Sequence, residues 1–362
     1  MNTVTALEPM PLCVTSEAAP VASPKIRKPR VWTAFATWFA VIIVGTLCSL
    51  LALVAVGVGI GIVMGAQGAD AAQIQARVQE ICQRPFPALL LSLIPFQLGM
   101  IGVVLFAARR SKEPIKERLG LLTPTGPPFS KLKLVTTAAF TVSTAMAAAI
   151  IAVLAIGAPK TNNPINAVIN DGSWWAITAL SIVLSVIPAL VEETFFRGFL
   201  QRRFLQRWSP VVAISVSTLL FALMHMDSLQ HIIAVVPLGL VNGLLAYRTN
   251  SVKPGMWVHA IHNTGVVGIG ALGTALMPHM GEDAVGMLLL GIIGALGLIG
   301  LPAIVSLLRS AKPQAAVATP VVETTAVVMP AVEPIVEPLS VRSRELSLPN
   351  FLVDSRLAST AV

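Results

Sequence analysis

Eight long runs of uncharged, mostly apolar residues constrain the fold of this chain more than any other feature. They lie at roughly 32–65, 85–108, 134–157, 174–200, 211–227, 231–247, 254–277 and 284–308, the fourth carrying the charged EETFFRG stretch near its end. About 20 apolar residues are enough for a helix to cross the hydrocarbon core of a bilayer. The sequence therefore predicts an all-α, polytopic membrane helix bundle of about eight transmembrane helices, with any active site inside the bundle.

The overall composition excludes several other classes of protein. Charged residues make up 12% of the chain, whereas soluble proteins are about one quarter charged. The net charge of +8 could indicate a nucleic-acid partner, but the basic residues lack the interleaved aromatics of a nucleic-acid surface, so we expect none. Three scattered cysteines, Cys13, Cys48 and Cys82, form neither a disulfide framework nor a zinc motif.

Basic residues alternate between the connections of the predicted helices. The second connection carries Arg109 and Arg110, and the fourth carries Arg202 and Arg203, whereas the fifth carries Asp227 and no lysine or arginine. Lysine and arginine collect on the cytoplasmic side of membrane proteins. The pattern predicts a multi-pass protein of the plasma membrane with its N and C termini in the cytoplasm.

Composition also divides the chain into four regions. Residues 1–30 are predicted to be a disordered, basic cytoplasmic tail, and residues 31–170 to hold the first three transmembrane helices. Residues 171–309 form the membrane core that carries the motifs described next. Residues 310–362, rich in Pro, Val and Ala without helical or strand periodicity, are predicted to be a disordered cytoplasmic tail.

The stretch VEETFFRGF, residues 191–199, places three ionisable groups at the end of an apolar run. Glu193 and Arg197 are four residues apart, so on a helix they share a face and can pair. Glu192 is rotated by about 100° from that face. A spare carboxylate in a low-dielectric site suits general-base work on water. The alternative is an interfacial salt bridge that ends the fourth helix, with Glu192 solvated.

Two further polar stretches follow on later helices. FALMH places His225 four residues after Phe221, and WVHAIHN places Asn263 four residues after His259. Two hydrogen-bonding side chains on one helix face could polarise a carbonyl and hold an oxyanion. Structural hydrogen bonds between helices are the alternative for all three side chains. His231 and His279 lie near loop ends and are interpreted as ordinary.

In this order, E-E-x-x-x-R, F-x-x-x-H and H-x-x-x-N resemble the three motifs of the CPBP family. That family comprises type II CAAX prenyl proteases and bacteriocin-processing membrane endopeptidases, also called the Abi family. The resemblance covers roughly residues 174–280, and no motif position departs from the pattern. It implies an intramembrane endopeptidase that hydrolyses a peptide bond of a membrane-associated protein or peptide.

The resemblance also implies a role for each motif residue. Glu192 would activate a water with help from His225, and Glu193, held by Arg197, would orient the site. The oxyanion would be stabilised by two residues of the third motif, His259 and Asn263.

The family has been described both as metal-dependent and as metal-independent. Glu192, His225 and His259 could supply a zinc-binding set with one position open for water, but the motif H-E-x-x-H is absent. We expect hydrolysis that requires no cofactor, with Zn²⁺ as the alternative.

Two other functions stay open at this point: an ion-coupled transporter that uses intramembrane Glu and His as a relay, and a noncatalytic scaffold or immunity protein of the same fold. The partners implied are the lipid bilayer and a membrane-anchored substrate, and the oligomeric state is not predicted.

One difficulty concerns the depth of His225 in the membrane. If the fifth helix runs outward from Arg207, a gap of more than about 15 Å could separate His225 from Glu192 and His259.

Overall fold

The computed structural model describes residues 30–111, 113–125, 129–160 and 164–310. Within these ranges the chain is helical and contains no strand. The helices are α1 (Trp32–Ala66), α2 (Ala71–Gln83), α3 (Pro85–Arg109), α4 (Ile115–Arg118), α5 (Lys131–Ile156), α6 (Pro164–Asn170), α7 (Trp174–Glu193), the π-helical segment Thr194–Gln201, α8 (Arg202–Leu205), α9 (Pro210–Leu223), α10 (Leu229–Thr249), α11 (Lys253–Met280) and α12 (Glu282–Arg309). The two predicted disordered tails lie outside the described residues, apart from Arg30 and Ser310.

Seven helical stretches of the described chain are long and apolar enough to cross a membrane. They are α1, α3, α5, the continuous stretch Trp174–Leu205, α10, α11 and α12. Each coincides with one of the predicted apolar runs, so the prediction of a polytopic helical bundle is confirmed. Lipid offers no hydrogen bonds to the backbone, and a helix satisfies its own backbone groups, which is why apolar runs of this length become helices.

The remaining predicted crossing, α9, is shorter than the others. Ser209 accepts a hydrogen bond from the backbone N–H of Val212, and Pro210 occupies the first turn, so the helix begins sharply. It ends at Leu223, four residues before the predicted end, and its 14 residues rise about 21 Å. That length is less than the roughly 30 Å of a bilayer core. The chain therefore leaves α9 before it reaches His225, which lies in the turn that follows.

Three short helices in the connections were not predicted. α2 begins with a capping box, in which Asp70 accepts from the backbone of Gln73 and the side chain of Gln73 accepts from the backbone of Asp70. α4 and α6 are single short helices of 4 and 7 residues. Charged or short segments of this kind give no long apolar run, so a search for membrane spans does not find them.

Contacts between connections define two opposite ends of the bundle. At one end, the rings of Phe86 and Trp175 lie 5.4 Å apart, and the side chain of Gln230 donates to the carbonyl of Gly157 at 2.7 Å. We call this the α6 end, because α6 packs there against α3 and α7. The opposite end, the α4 end, joins the α4 turn to the α10–α11 turn. There the N–H of Val252 donates to the carbonyl of Gly120 at 2.9 Å.

Close packing around the π-helical segment explains the glycine that follows Arg197. A Cβ atom at Gly198 would lie 2.2 Å from the carbonyl oxygen of Leu119, which is closer than any real side chain approaches a backbone atom. Around this contact, Phe195, Phe199 and Phe204 are all buried. The loop after α4 is thereby held against the helix that carries both glutamates.

Candidate active site

The glutamates lie where α7 passes into the π-helical segment. α7 ends at Glu193, and Thr194–Gln201 continues with π-helical geometry. Such segments are rare and frequently occur at functional sites. Every residue from Glu192 to Gln201 is buried. An interfacial salt bridge with a solvated Glu192, the alternative left open by the sequence, is therefore not the arrangement found.

Glu193 is fully enclosed and receives three hydrogen bonds on one carboxylate oxygen. The donors to its Oε1 atom are Arg197 Nη1 at 3.1 Å, Asn242 Nδ2 at 3.0 Å and His259 Nδ1 at 2.9 Å. Glu193 is 0% exposed and Arg197 is 1% exposed. A buried charge is tolerated when it is paired and hydrogen-bonded. Glu193 thus joins α7, α10 and α11 into one unit.

The contact with Glu193 also orients the imidazole of His259. A carboxylate only accepts hydrogen bonds, so the Nδ1 atom of His259 carries the proton in this contact. Its second nitrogen, Nε2, then points away from Glu193 and lies 4.0 Å from Oε2 of Glu192. The imidazole is therefore held between the two adjacent carboxylates.

Glu192 has a different environment from its neighbour. Gln97, on α3, donates from Nε2 to Oε1 of Glu192 at 2.8 Å. The second oxygen, Oε2, is buried and has no hydrogen-bond partner among the described residues. Gln97 is itself 2% exposed. One oxygen of Glu192 is thus fixed by Gln97, while the other makes no hydrogen bond to a described residue.

A cavity of about 410 Å³ lies next to this free oxygen. Most of its lining is apolar and comes from α3, α6, α7, α9, α10 and α11. Its polar lining residues are Gln97, Glu192, His225, Asp227, His231, His259, His262 and Asn263. Four of the six residues singled out in the sequence, Glu192, His225, His259 and Asn263, therefore meet around one cavity. The other two, Glu193 and Arg197, lie behind it.

His225 reaches the cavity because α9 is short. Its Nδ1 atom lies 3.1 Å from the carbonyl of Phe221, which leaves Nε2 for other partners. The ring of Phe221 packs 5.0 Å from the ring of His225 and 6.0 Å from that of His259. The gap of more than 15 Å that the sequence allowed therefore does not occur.

Two more side chains of the third motif have structural partners. Asn263 donates from Nδ2 to the carbonyl of Leu184 at 2.8 Å, which leaves one of its two amide hydrogens for the cavity. His262, which directly precedes Asn263, contacts the hydroxyl of Thr141 at 3.0 Å. The third motif thus packs α11 against both α7 and α5.

Five polar side chains at this site were not predicted: Gln97, Asp227, His231, Asn242 and His262. Gln97 and Asn242 contact Glu192 and Glu193, and His231, interpreted as an ordinary loop histidine, lines the cavity. A signal was present for the two amides, because each interrupts an apolar run and polar side chains inside membranes usually find a partner. Which partner each one has could not be read from its position in the chain.

The zinc set considered from the sequence does not match this arrangement. Among the described residues, no three His, Cys, Asp or Glu side chains are grouped so that they could hold a metal ion. We derive no step through a metal from these side chains.

One comparison with known families gives a match that is consistent with the fold and the three motifs. Residues 173–265 match the family model described as type II CAAX prenyl endopeptidase Rce1-like. No curated protein and no solved structure matches the chain. The matched segment contains all three motifs and most of the cavity's polar lining. Residues 173–265 of this polytopic membrane protein are therefore similar to the type II CAAX prenyl endopeptidase Rce1-like family, consistent with the CPBP resemblance of its motifs.

Proposed function

We propose that the cavity is the active site of an intramembrane endopeptidase, in which Glu192 activates a water that attacks a peptide carbonyl. At family level, the match to the Rce1-like model supports a CAAX-type endopeptidase. The observation that carries the detailed proposal is the unpaired Oε2 atom of Glu192, buried beside the cavity and 4.0 Å from His259 Nε2.

The first step is the attack of water. Glu192 accepts a proton from a water bound in the cavity, and the water oxygen forms a bond to the carbonyl carbon of the scissile peptide. His225 faces the same cavity, where its Nε2 atom helps to hold that water. The C–N bond then breaks, and the proton taken by Glu192 passes to the leaving nitrogen, which departs as an amine.

The second requirement is a donor for the developing oxyanion. Asn263 has one amide hydrogen left after its contact with Leu184. The second donor is the Nε2 atom of His259, whose ring is oriented by the carboxylate of Glu193 at its Nδ1 atom. The aspartate of a Ser-His-Asp triad orients and stabilises its histidine in the same way. Arg197 pairs with Glu193 at 3.1 Å and so fixes the position of that carboxylate.

Gln97 completes the site from outside the matched segment. By donating to Oε1, it sets the direction in which the other carboxylate oxygen of Glu192 points. Gln97 is thus a positioning residue in this proposal, because it acts on the substrate through Glu192.

Cleavage by the purified chain tests the proposal. The full-length protein in lipid nanodiscs would be incubated with a library of apolar, quenched fluorogenic peptides. Glu192→Gln and His225→Ala are expected to lower kcat about 10²–10⁴-fold, the usual contribution of a general acid or base. Glu282→Gln and His279→Ala, at exposed positions outside the cavity lining, are matched controls and should keep full activity.

Two outcomes would contradict the proposal. Cleavage that persists in Glu192→Gln would exclude Glu192 as the base. If no peptide is cut by any form while proteoliposomes carry an ion flux that Glu192→Gln abolishes, the chain is an ion-coupled transporter.

A further inference from the structure

The cavity has a buried floor and an exposed rim. Its floor includes Glu192, Phe196 and His259, which are all buried. Its most exposed lining residues are Pro164 in α6 and Met226 and Asp227 in the α9–α10 turn. These positions belong to the α6 end. The cavity therefore opens toward the α6 end of the bundle.

The route from Glu192 toward the α4 end is filled by side chains. Along the π-helical segment toward that end, Arg197, Phe199 and Gln201 are buried. Arg202 then hydrogen-bonds to Asn250 in the α10–α11 turn at 2.9 Å. A second cavity at this end, of about 160 Å³, shares no lining residue with the first.

Basic residues are concentrated at the α4 end. The lysines and arginines described there are Arg30, Arg109, Arg110, Lys116, Arg118, Lys131, Lys133, Arg202, Arg203, Arg207, Arg248, Lys253 and Arg309. Those described at the α6 end are Arg77, Arg84 and Lys160, and the first two each pair with Glu80 at 2.6 Å. Because lysine and arginine stay on the cytoplasmic side, this asymmetry favours a cytoplasmic α4 end.

We infer that the active site opens to the extracytoplasmic face of the membrane and that its substrate is a peptide segment exposed on that face. The inference rests on the proposed function for its substrate, and on the burial and charge of the two ends for its direction. A substrate segment confined to the cytoplasm would have to pass the buried side chains of the π-helical segment.

The chemistry of the rim suits a water-filled entrance. Asp227 and His231 lie 2.6 Å apart and both are about one-third exposed. The ring of His231 lies 5.0 Å from that of His225, deeper in the cavity. These polar groups lead from solvent to the reacting centre, whereas the remaining walls are apolar and would contact an apolar peptide segment.

Cysteine labelling in sealed spheroplasts tests the direction of opening. In a full-length background with Cys13, Cys48 and Cys82 changed to alanine, Asp227→Cys probes the rim and Gln206→Cys, also exposed, is the matched probe at the α4 end. A membrane-impermeant maleimide should label Asp227→Cys in sealed spheroplasts, and Gln206→Cys only after permeabilisation, with at least a tenfold difference in labelled fraction. Any other pattern overturns the inference.

A second probe reports on the cavity itself. Met224→Cys, in the cavity wall, should react with a small cationic methanethiosulfonate added outside sealed spheroplasts, and an excess of cavity-filling apolar peptide should slow that reaction. Absence of reaction, with helicity and thermal stability unchanged, would contradict an outward opening. Neither labelling result depends on cleavage, so a wrong direction can be told from a wrong catalytic proposal.

Discussion

The two sides of the helix that carries Glu192 and Glu193 differ in how completely they are packed. On one side, Glu193 receives three donors on a single oxygen and links three helices. On the other side, Glu192 receives one donor and presents its second oxygen to a cavity. Glu193 is thus anchored to three helices through one oxygen, whereas Glu192 is held by a single donor beside the cavity, and we propose that only Glu192 takes part in chemistry.

The largest effect is expected on the packed side. Arg197→Leu leaves Glu193 buried without its cation, and breaking a buried pair in this way costs about 3–5 kcal/mol. We expect loss of folded protein or a large decrease in the free energy of unfolding in mixed micelles. Glu192→Gln should change that free energy by less than about 1 kcal/mol, because its amide keeps the shape of the side chain. Equal destabilisation by both changes would contradict the comparison.

A second prediction concerns the backbone contact behind the glutamates. Gly198→Ala places a Cβ atom against the carbonyl of Leu119, so helix and loop must separate. Overpacking of this kind costs about 1–3 kcal/mol. The midpoint of thermal unfolding should therefore fall by several degrees. Gly286→Ala, where a Cβ atom would meet nothing within 4 Å, is the matched control and should leave the midpoint unchanged or slightly raised.

A third prediction concerns the single donor on the cavity side. Gln97→Leu removes the hydrogen bond to Glu192, and we expect kcat to fall about tenfold with little change in KM, since the substrate contacts remain. Gln97→Glu places a second carboxyl group in the same position and should lower kcat at least as much.

Gln201→Leu is the control for that change, because Gln201 is an equally buried glutamine whose amide donates to the carbonyl of Gly243 instead. It should lower stability by about 1 kcal/mol and leave kcat unchanged. An effect of Gln97→Leu on stability alone would show that Gln97 supports packing and does not position Glu192.

The smallest effect is expected from metal removal. Because no three His, Cys, Asp or Glu side chains of the described residues are grouped so that they could hold a metal ion, we expect peptidase activity to persist within about twofold after exhaustive chelation and desalting. Metal content would be measured by mass spectrometry on the same sample. Loss of activity that stoichiometric Zn²⁺ restores would show that the cavity side rearranges around a metal.

The helices of this protein were predictable, and their lengths show the reason. The predicted runs at 32–65 and 85–108 became Trp32–Ala66 and Pro85–Arg109, because in lipid an apolar segment has to satisfy its backbone hydrogen bonds within itself. Spacing within one helix was equally informative. Glu193 and Arg197 are four residues apart, and a helix of either kind brings such residues to the same side.

The partners of the polar side chains were decided by the tertiary structure alone. Gln97 and Glu192 are 95 positions apart, and Asn242 and Glu193 are 49 apart. Contacts over such separations depend on how each helix is rotated and how deeply it lies, which hydropathy does not determine. Hydropathy also did not determine where α9 ends, and this end sets the position of His225. By itself the sequence determined the helices, the charge of the loops and the three motifs, because these depend on neighbouring residues. The cavity, the free carboxylate oxygen of Glu192 and the end toward which the cavity opens depend on how those helices pack.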